Sequence, residues 1–340
     1  MRKLLNTLYV TTPESYLSKD GLNVVVSVNQ NEIFRIPIVN VEGIVTFGYM
    51  GASPGLMKLC ADYNVSLSFL SPHGKYIGRF QGPIKGNVLL RTKQWECAKD
   101  SQFALSLSKI FVAGKIQNYR NILSRFIRDN GDYKAVEDAV AHLKYCKQKA
   151  LISSDLDYLR GVEGDAANRY FDVFPYLILQ QKNDFAFTGR NRRPPRDAVN
   201  AMLSFVYTLI SSDMSAALET VGLDPYIGFL HTLRPGRASL ALDMMEELRA
   251  YLGDRLVLSL INRKQLNIKD FIQHGDDCVV MTDNAKKIIL TAWQNRKKEV
   301  IIHPYIGEKI PIGLLPHTQA MLFARFIRGD LDNYPVFLIS

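Results

Sequence analysis

A chain of 340 residues, 47% hydrophobic and without low-complexity tracts, can bury a sizeable core and is expected to divide into two domains of a soluble globular protein. A formal net charge of +9, from 42 Lys and Arg against 33 Asp and Glu, favours a polyanionic partner, with nucleic acid first among them. Cys60, Cys97, Cys146 and Cys278 are scattered without a Cys-x-x-Cys pair and indicate neither a disulfide framework nor a zinc ribbon; with no signal-peptide pattern at the start and no apolar run near the ~20 residues of a bilayer span, a cytoplasmic, non-membrane location is expected.

Short apolar or alternating runs follow one another from Leu4 to about Gly82: Leu22 to Val28, Ile33 to Val39, Ile44 to Phe47, Val65 to Leu70 and Tyr76 to Phe80. Lys19-Asp-Gly21, Gln30-Asn31 and His73-Gly74 break them, and this spacing predicts a small, mainly antiparallel β domain. Within it, Ser53-Pro-Gly-Leu-Met-Lys-Leu-Cys-Ala-Asp62 reads as a helix over part of the sheet, with serine at the N-cap and proline in the first turn. Beyond Pro83 the apolar period lengthens, predicting helices near 87–98, 101–129, 132–150, 155–175, 194–219, 239–261, 284–298 and 315–328. Ser101, Ser154 and Asp283 are candidate caps, Asn130-Gly131 and Gly329 candidate stops, and Gln181 to Arg196 a charged loop. The expected fold is α+β, with a β-sandwich-like domain over 1–83 and a larger all-helical domain over 84–340.

The most informative stretch begins Gly228-Phe-Leu-His231-Thr and runs on to Asp243-Met-Met-Glu246-Glu247. It sets one histidine at the start of a Gly/Pro-containing turn and several acids on the helix that follows, which Ser239 would cap. Asp243 and Glu246, three residues apart, share a helical face, and Glu247 lies four from Asp243 on nearly the same stripe. They border the apolar side formed by Leu240, Met244, Leu248 and Tyr251, where a buried carboxylate needs a cation or hydrogen bonds. Oxygen ligands with a single imidazole suit Mg2+ or Mn2+ better than zinc, and point to phosphoryl transfer.

Glu163 sits on another predicted helix between Gly161 and Gly164. Each glycine costs that helix roughly 1 kcal/mol relative to alanine, which hints at close approach of a ligand or of another helix. Tight helix packing beside a surface glutamate is the plainer alternative. Arg190, Arg192, Arg193 and Arg196 crowd a loop stiffened by Pro194-Pro195, and guanidinium groups there could grip phosphates; Arg234 and Arg237 beside His231 would extend the positive surface. Trp95 and Trp293 read as core or interface residues, and His73, His142, His274, His303 and His317 show no ligand spacing.

On these residues the chain resembles the CRISPR-associated integrase family, the Cas-one protein of spacer acquisition, most closely its subtype I-C form. The specific marks are Gly161-Val-Glu-Gly-Asp-Ala-Ala167, the run from Asn191 to Phe205, Gly228 to Thr232 with Arg234 to Asp243, and Gln319 to Asp330. The resemblance implies a metal-dependent DNA endonuclease and integrase that joins the 3′ hydroxyl of a captured fragment to the CRISPR repeat by transesterification, with no nucleotide cofactor. It implies a β domain that dimerises, a helical domain that carries catalysis and DNA binding, and a homodimer joined to the small Cas-two protein in an integration complex. Matching the family's pattern, Glu163, His231 and Glu246 would hold Mg2+ or Mn2+, with Asp243 a further functional acid, and Arg190, Arg192, Arg193, Arg196, Arg234 and Arg237 would position DNA. Glutamate at 246, where many relatives have aspartate, keeps the charge and lengthens the reach. The rival reading is a non-catalytic DNA-binding scaffold of a nucleoprotein assembly; a plain nuclease is a second.

Overall fold

The computed structural model describes residues 7–41, 43–48, 50–71, 76–80, 82, 88–191, 194–275 and 278–339; the expected His73-Gly74 break and Arg192 and Arg193 lie outside the described residues. The chain is α+β and forms two compact units, one of Met1–Lys85, Met281–Ile301 and Ile310–Leu314, the other of Gly86–Val280, Ile302–Lys309 and Leu315–Ser340.

The first unit begins with strands β1 (Thr7–Val10), β2 (Tyr16–Asp20), β3 (Asn23–Val28), β4 (Asn31–Pro37) and β5 (Gly43–Phe47), then helix α1 (Pro54–Tyr63), β6 (Ser66–Leu70) and β7 (Tyr76–Phe80). Strands β2, β3 and β4 make an antiparallel meander. Asn29 and Gln30 turn its second hairpin with positive φ at both positions, where an asparagine is well tolerated. The other sheet runs β1-β5-β6-β7 and is mixed rather than mainly antiparallel: β1 and β6 lie parallel to β5, and only β7 is antiparallel. The cause is α1, a crossover helix between β5 and β6 that returns the chain to run in the same direction. Ser53 caps α1 as expected, its hydroxyl accepting from the Leu56 N–H, with Pro54 in the first turn. One apolar cluster, including Leu17, Val24, Ile44, Leu56 and Leu67, draws on both sheets and on α1.

The helical unit contains α2 (Val88–Lys99), α3 (Ser101–Asn130), α4 (Lys134–Ile152), α5 (Leu156–Leu177), α6 (Ala198–Thr220), α7 (Ser239–Leu248) and α8 (Arg255–Asn262). Gly131 ends α3 at φ +90° as expected. The caps differ from the expected ones: Asp100 rather than Ser101 caps α3 and Asp155 rather than Ser154 caps α5, while α6, expected from 194, begins only after its cap Asp197. Ser239 is not a cap either. It is buried in the first turn of α7, with its hydroxyl near the Thr232 carbonyl, while Ala238 holds the cap position. The single helix expected at 239–261 is α7 and α8 joined by a π-helical turn over Arg249–Asp254.

Helix α6 is long and apolar enough by composition to cross a membrane, although no uninterrupted apolar run marks it in the sequence. Some 61% of its most apolar window is buried inside the protein, which is the behaviour of a core helix.

The short strands β8 (Phe271–Gln273) and β9 (Val279–Met281) precede α9 (Asp283–Lys298), which Thr282 caps; β10 (Val300–Ile302), β11 (Lys309–Pro311) and α10 (Leu315–Arg328) complete the fold. Though expected with the helical domain, α9 groups with the β unit, where the Gln294 amide donates to the Thr7 carbonyl on β1 at 2.7 Å. That docking joins residues 287 positions apart, a relation that periodicity does not record.

Candidate metal centre

The loop before α7 is built around one aspartate. Asp243 has no exposed side chain. Its Oδ2 accepts the N–H groups of Phe229 (2.6 Å) and Leu230 (3.0 Å), and its Oδ1 those of the His231 backbone (2.9 Å) and ring Nδ1 (2.6 Å). A carboxylate so occupied fixes the imidazole with Nδ1 protonated and leaves Nε2 as the lone-pair nitrogen. Gly228 permits this approach, since a Cβ there would fall 2.7 Å from the Ser239 backbone and 2.8 Å from Asp243 Oδ2. Buried Gln94 on α2 anchors the other end of the loop, donating to the carbonyls of Asp224 and Ile227 and accepting from the Asp224 N–H. Arg160 on α5 donates twice to the Leu230 carbonyl, tying the loop to the helix that carries Glu163.

Glu163 on α5 and Glu246 on α7 converge on Lys115 of α3. The ammonium bonds Glu163 Oε1 and lies 2.8 Å from Glu246 Oε2, while Arg249 reaches Glu246 Oε1 at 3.0 Å. Lys115 and Glu246 are 2% and 5% exposed, so these charges meet largely out of water. Burial alone would lower the lysine's affinity for its proton, but the two carboxylates reverse that and hold the ammonium charged. Burial would likewise raise Glu246, yet Arg249, Lys115 and His231 hold it down at about 2. Glu246 Oε2, despite its closeness to the ammonium, has no aligned hydrogen bond among the described residues. It is a buried anionic oxygen compensated by the Lys115 ammonium, whose place a metal ion would take.

Aromatic rings wall the cluster. Tyr119 stacks on Tyr170 with centroids 3.9 Å apart, and the Arg249 guanidinium lies over Tyr207 at 4.6 Å. The hydroxyls of Tyr170 and Tyr207 donate to Asp254, a carboxyl that burial pushes up to about 6 against the pull of those two bonds. Glu247 points away from the acids next to it. It accepts from Gln319, Tyr334 and the Phe337 N–H, clasping the C-terminal segment.

Gly161 and Gly164 have no protein atom within 4 Å of where a side chain would stand. The helix-packing explanation of these glycines is therefore removed, and the surface beside Glu163 is open. The arginines behave differently from one another. Arg190 turns inward, donating to Asn200 Oδ1 at 2.7 Å and Ser204 Oγ at 3.0 Å and lying over Tyr207 at 5.4 Å. Arg196 and Arg234 are exposed, and Arg237 is half-buried in the turn that leads into α7.

The donor set fits a hard divalent ion: two carboxylates from separate helices that already share one cation, and an imidazole oriented by a carboxylate behind it. Among the described residues, though, the His, Cys, Asp and Glu atoms that all lie within 4.8 Å of one another belong to His142, Cys146 and Asp165, not to Glu163, His231 and Glu246. For the two glutamates the physical reason is Lys115, whose ammonium stands between them as their counter-ion. Lys115 and Arg249 are not among the residues expected from the sequence. Their signal is positional: Lys115 falls on the buried stripe of α3 with Ser108, Phe111, Val112, Tyr119 and Ile122, where a lone lysine needs acids from elsewhere.

An N-terminal two-sheet unit followed by a helical unit, with carboxylates, a lysine and an aspartate-held histidine gathered from three helices and a loop, defines an α+β protein with a candidate metal centre in its helical unit. The family model for CRISPR associated protein Cas1 matches residues 8–295, and the chain belongs to that family. It is 50% identical over 341 aligned residues to a CRISPR-associated endonuclease Cas1 of Chlorobaculum tepidum, covering 99% of each chain, and 48% identical to one of Rhodospirillum rubrum, covering 98% of each. A solved Cas1 protein from Thermotoga maritima shares the fold with a TM-score of 0.83 at 21% identity, over 98% of this chain and 100% of that one.

Proposed function

We propose that this chain is a metal-dependent DNA integrase and endonuclease of CRISPR adaptation. The observation that carries the reading is the convergence of Glu163 and Glu246, from α5 and α7, on a single cation beside a histidine oriented through Nδ1. Its relatives bear the name CRISPR-associated endonuclease, which supports the reaction class.

Glu163, His231 and Glu246 would hold Mg2+ or Mn2+, which supplies polarisation of the scissile phosphate and stabilisation of charge on the departing 3′ oxygen. The attacking group is the 3′ hydroxyl of a captured DNA end. Its oxygen forms the new P–O bond as the bond to the repeat's own 3′ oxygen breaks, so one phosphodiester replaces another and no nucleotide is consumed. Asp243 fixes the orientation of the His231 ring through Nδ1 and, with its oxygens occupied by four N–H groups, acts as a positioning residue. Lys115 keeps the carboxylates compensated when no ion is present. The open surface at Gly161 and Gly164 gives a DNA backbone access to Glu163. Arg196, Arg234 and Arg237, with Arg192 and Arg193, contact phosphates; Arg190 stiffens the loop from within. A second copy of the chain pairs through the β unit, where Ile33 and Phe34 stand exposed on β4, and a small Cas2 protein completes the complex.

The scaffold reading draws on one observation, that Lys115 satisfies both acids without a metal. Strand transfer of a labelled 3′ end into a repeat or branched duplex with Mn2+ separates the readings. Loss of joining in both Glu163→Gln and His231→Ala, with DNA binding kept, supports the enzyme, and full activity in either variant removes it. Cleavage without joining would favour a plain nuclease.

A further inference from the structure

Helices α4 and α5 share a second cluster, apart from the acids described above. His142 and Cys146 lie one turn apart on α4 and present the same face to α5. There Asp165 Oδ2 lies 3.0 Å from His142 Nε2 and 3.3 Å from Cys146 Sγ, and the three ligand atoms all fall within 4.8 Å of one another. Cys146 is fully buried, whereas the His142 and Asp165 side chains are 37% and 58% exposed. The sulfur thus forms the floor of a small cup whose rim opens to water.

We propose that His142, Cys146 and Asp165 are a second metal site, selective for a borderline divalent ion of the Zn2+ class. Neighbouring ligand atoms around a tetrahedral zinc stand roughly 3.3–3.6 Å apart, given Zn–N and Zn–O bonds near 2.0–2.1 Å and Zn–S near 2.3 Å. The two separations from Asp165 Oδ2, 3.0 and 3.3 Å, are within a few tenths of an ångström of that, and the His142 and Cys146 ligand atoms fall within 4.8 Å of each other, so side-chain shifts admit the ion. A thiolate with an imidazole selects against Mg2+ and Mn2+, the ions suited to the carboxylate centre. On binding, the Cys146 S–H bond breaks, its proton passes to water and the S–metal bond forms, with no change of oxidation state. Water takes the fourth position on the exposed side. The ion ties α4 to α5 two residues beyond Glu163 and so fixes the helix that presents that glutamate; it is a clip rather than a participant in phosphodiester chemistry.

The test is a titration of the chelator-stripped full chain with Co2+, read as sulfur-to-cobalt charge-transfer absorption. One equivalent should bind, Zn2+ should displace it, and excess Mg2+ should not. Cys146→Ser should abolish the band, which separates this thiol from Cys60, Cys97 and Cys278. His142→Ala and Asp165→Asn, both at the exposed rim and harmless to the core, should each weaken binding by at least about 10-fold and remove the rise in Tm that Zn2+ gives the wild type. Glu163→Gln and His231→Ala should keep the band, so this site and the proposed catalytic centre fail separately. A wild type without the band, a band that survives Cys146→Ser, or binding unchanged in His142→Ala overturns the proposal.

Discussion

The ring Nδ1 of His231 sits 2.6 Å from Asp243, a carboxylate with no exposed surface that also takes three backbone N–H bonds from the histidine's own loop. One side chain thus sets both the path of the chain and the tautomer of the ring. Asp243→Asn places an amide NH2 among donors and should lower stability by about 2–4 kcal/mol while reducing strand transfer 10- to 100-fold. Urea unfolding and joining assays on the same preparation check this. Normal activity in a destabilised protein would show that the ring needs no such support.

Lys115 determines how the two glutamates coexist. Replacing it with methionine leaves Glu163 and Glu246 facing each other with less compensation, and breaking a buried pair in this way costs about 3–5 kcal/mol. The same change removes the ammonium that competes with a metal. Lys115→Met should therefore show a lower Tm without divalent ions and a larger rise on adding Mn2+ than the wild type. An identical Mn2+ response in both proteins would mean that lysine and metal do not share the carboxylates.

The open surface at Gly161 and Gly164 allows a third test. Each position accepts a Cβ without contact, so Gly164→Ala should raise helix stability by about 1 kcal/mol and increase the Tm. DNA joining should fall in the same variant if the backbone of the substrate passes close to that surface. A drop in Tm would reveal a packing constraint on that face of α5.

Much of this architecture is legible in the amino-acid order. The change from alternating runs to long periodic ones near residue 83 marks the passage from strands to helices, and Ser53-Pro54 and Gly131 mark element ends through local chemistry. His231, Asp243 and Glu246 stand out by spacing, whereas the choice of Glu163, and of Glu246 over its neighbour Glu247, comes from the family resemblance. Lys115 does not stand out, because its meaning depends on two acids brought by other helices, and a single lysine in a long helix otherwise reads as a solvated one. Arg190 fails in the opposite direction: four arginines in a loop look like a phosphate grip, but Asn200 and Ser204 turn the first of them inward. His142, without ligand spacing to another histidine in the sequence, stands one turn before Cys146 on α4, and Asp165, the residue that makes them a cluster, lies on the next helix.

Asp254 gives the protein a pH dependence of known sign. Burial raises this carboxyl from 3.8 to about 6, although the hydroxyls of Tyr207 and Tyr170 favour its ionised form. The folded state therefore holds the proton more tightly than the unfolded chain. The stabilisation is complete below the unfolded value of 3.8 and is lost as pH rises through about 6. The difference corresponds to about 3 kcal/mol across that window. In Asp254→Asn this contribution disappears, and the two tyrosine hydroxyls can still donate to the amide oxygen. Urea midpoints measured from pH 4 to 7.5 should show the stability of the variant gaining on that of the wild type as pH rises, with the gap constant above about pH 6.5. Parallel pH profiles for the two proteins would show that Asp254 ionises in the folded protein as it does in the unfolded chain.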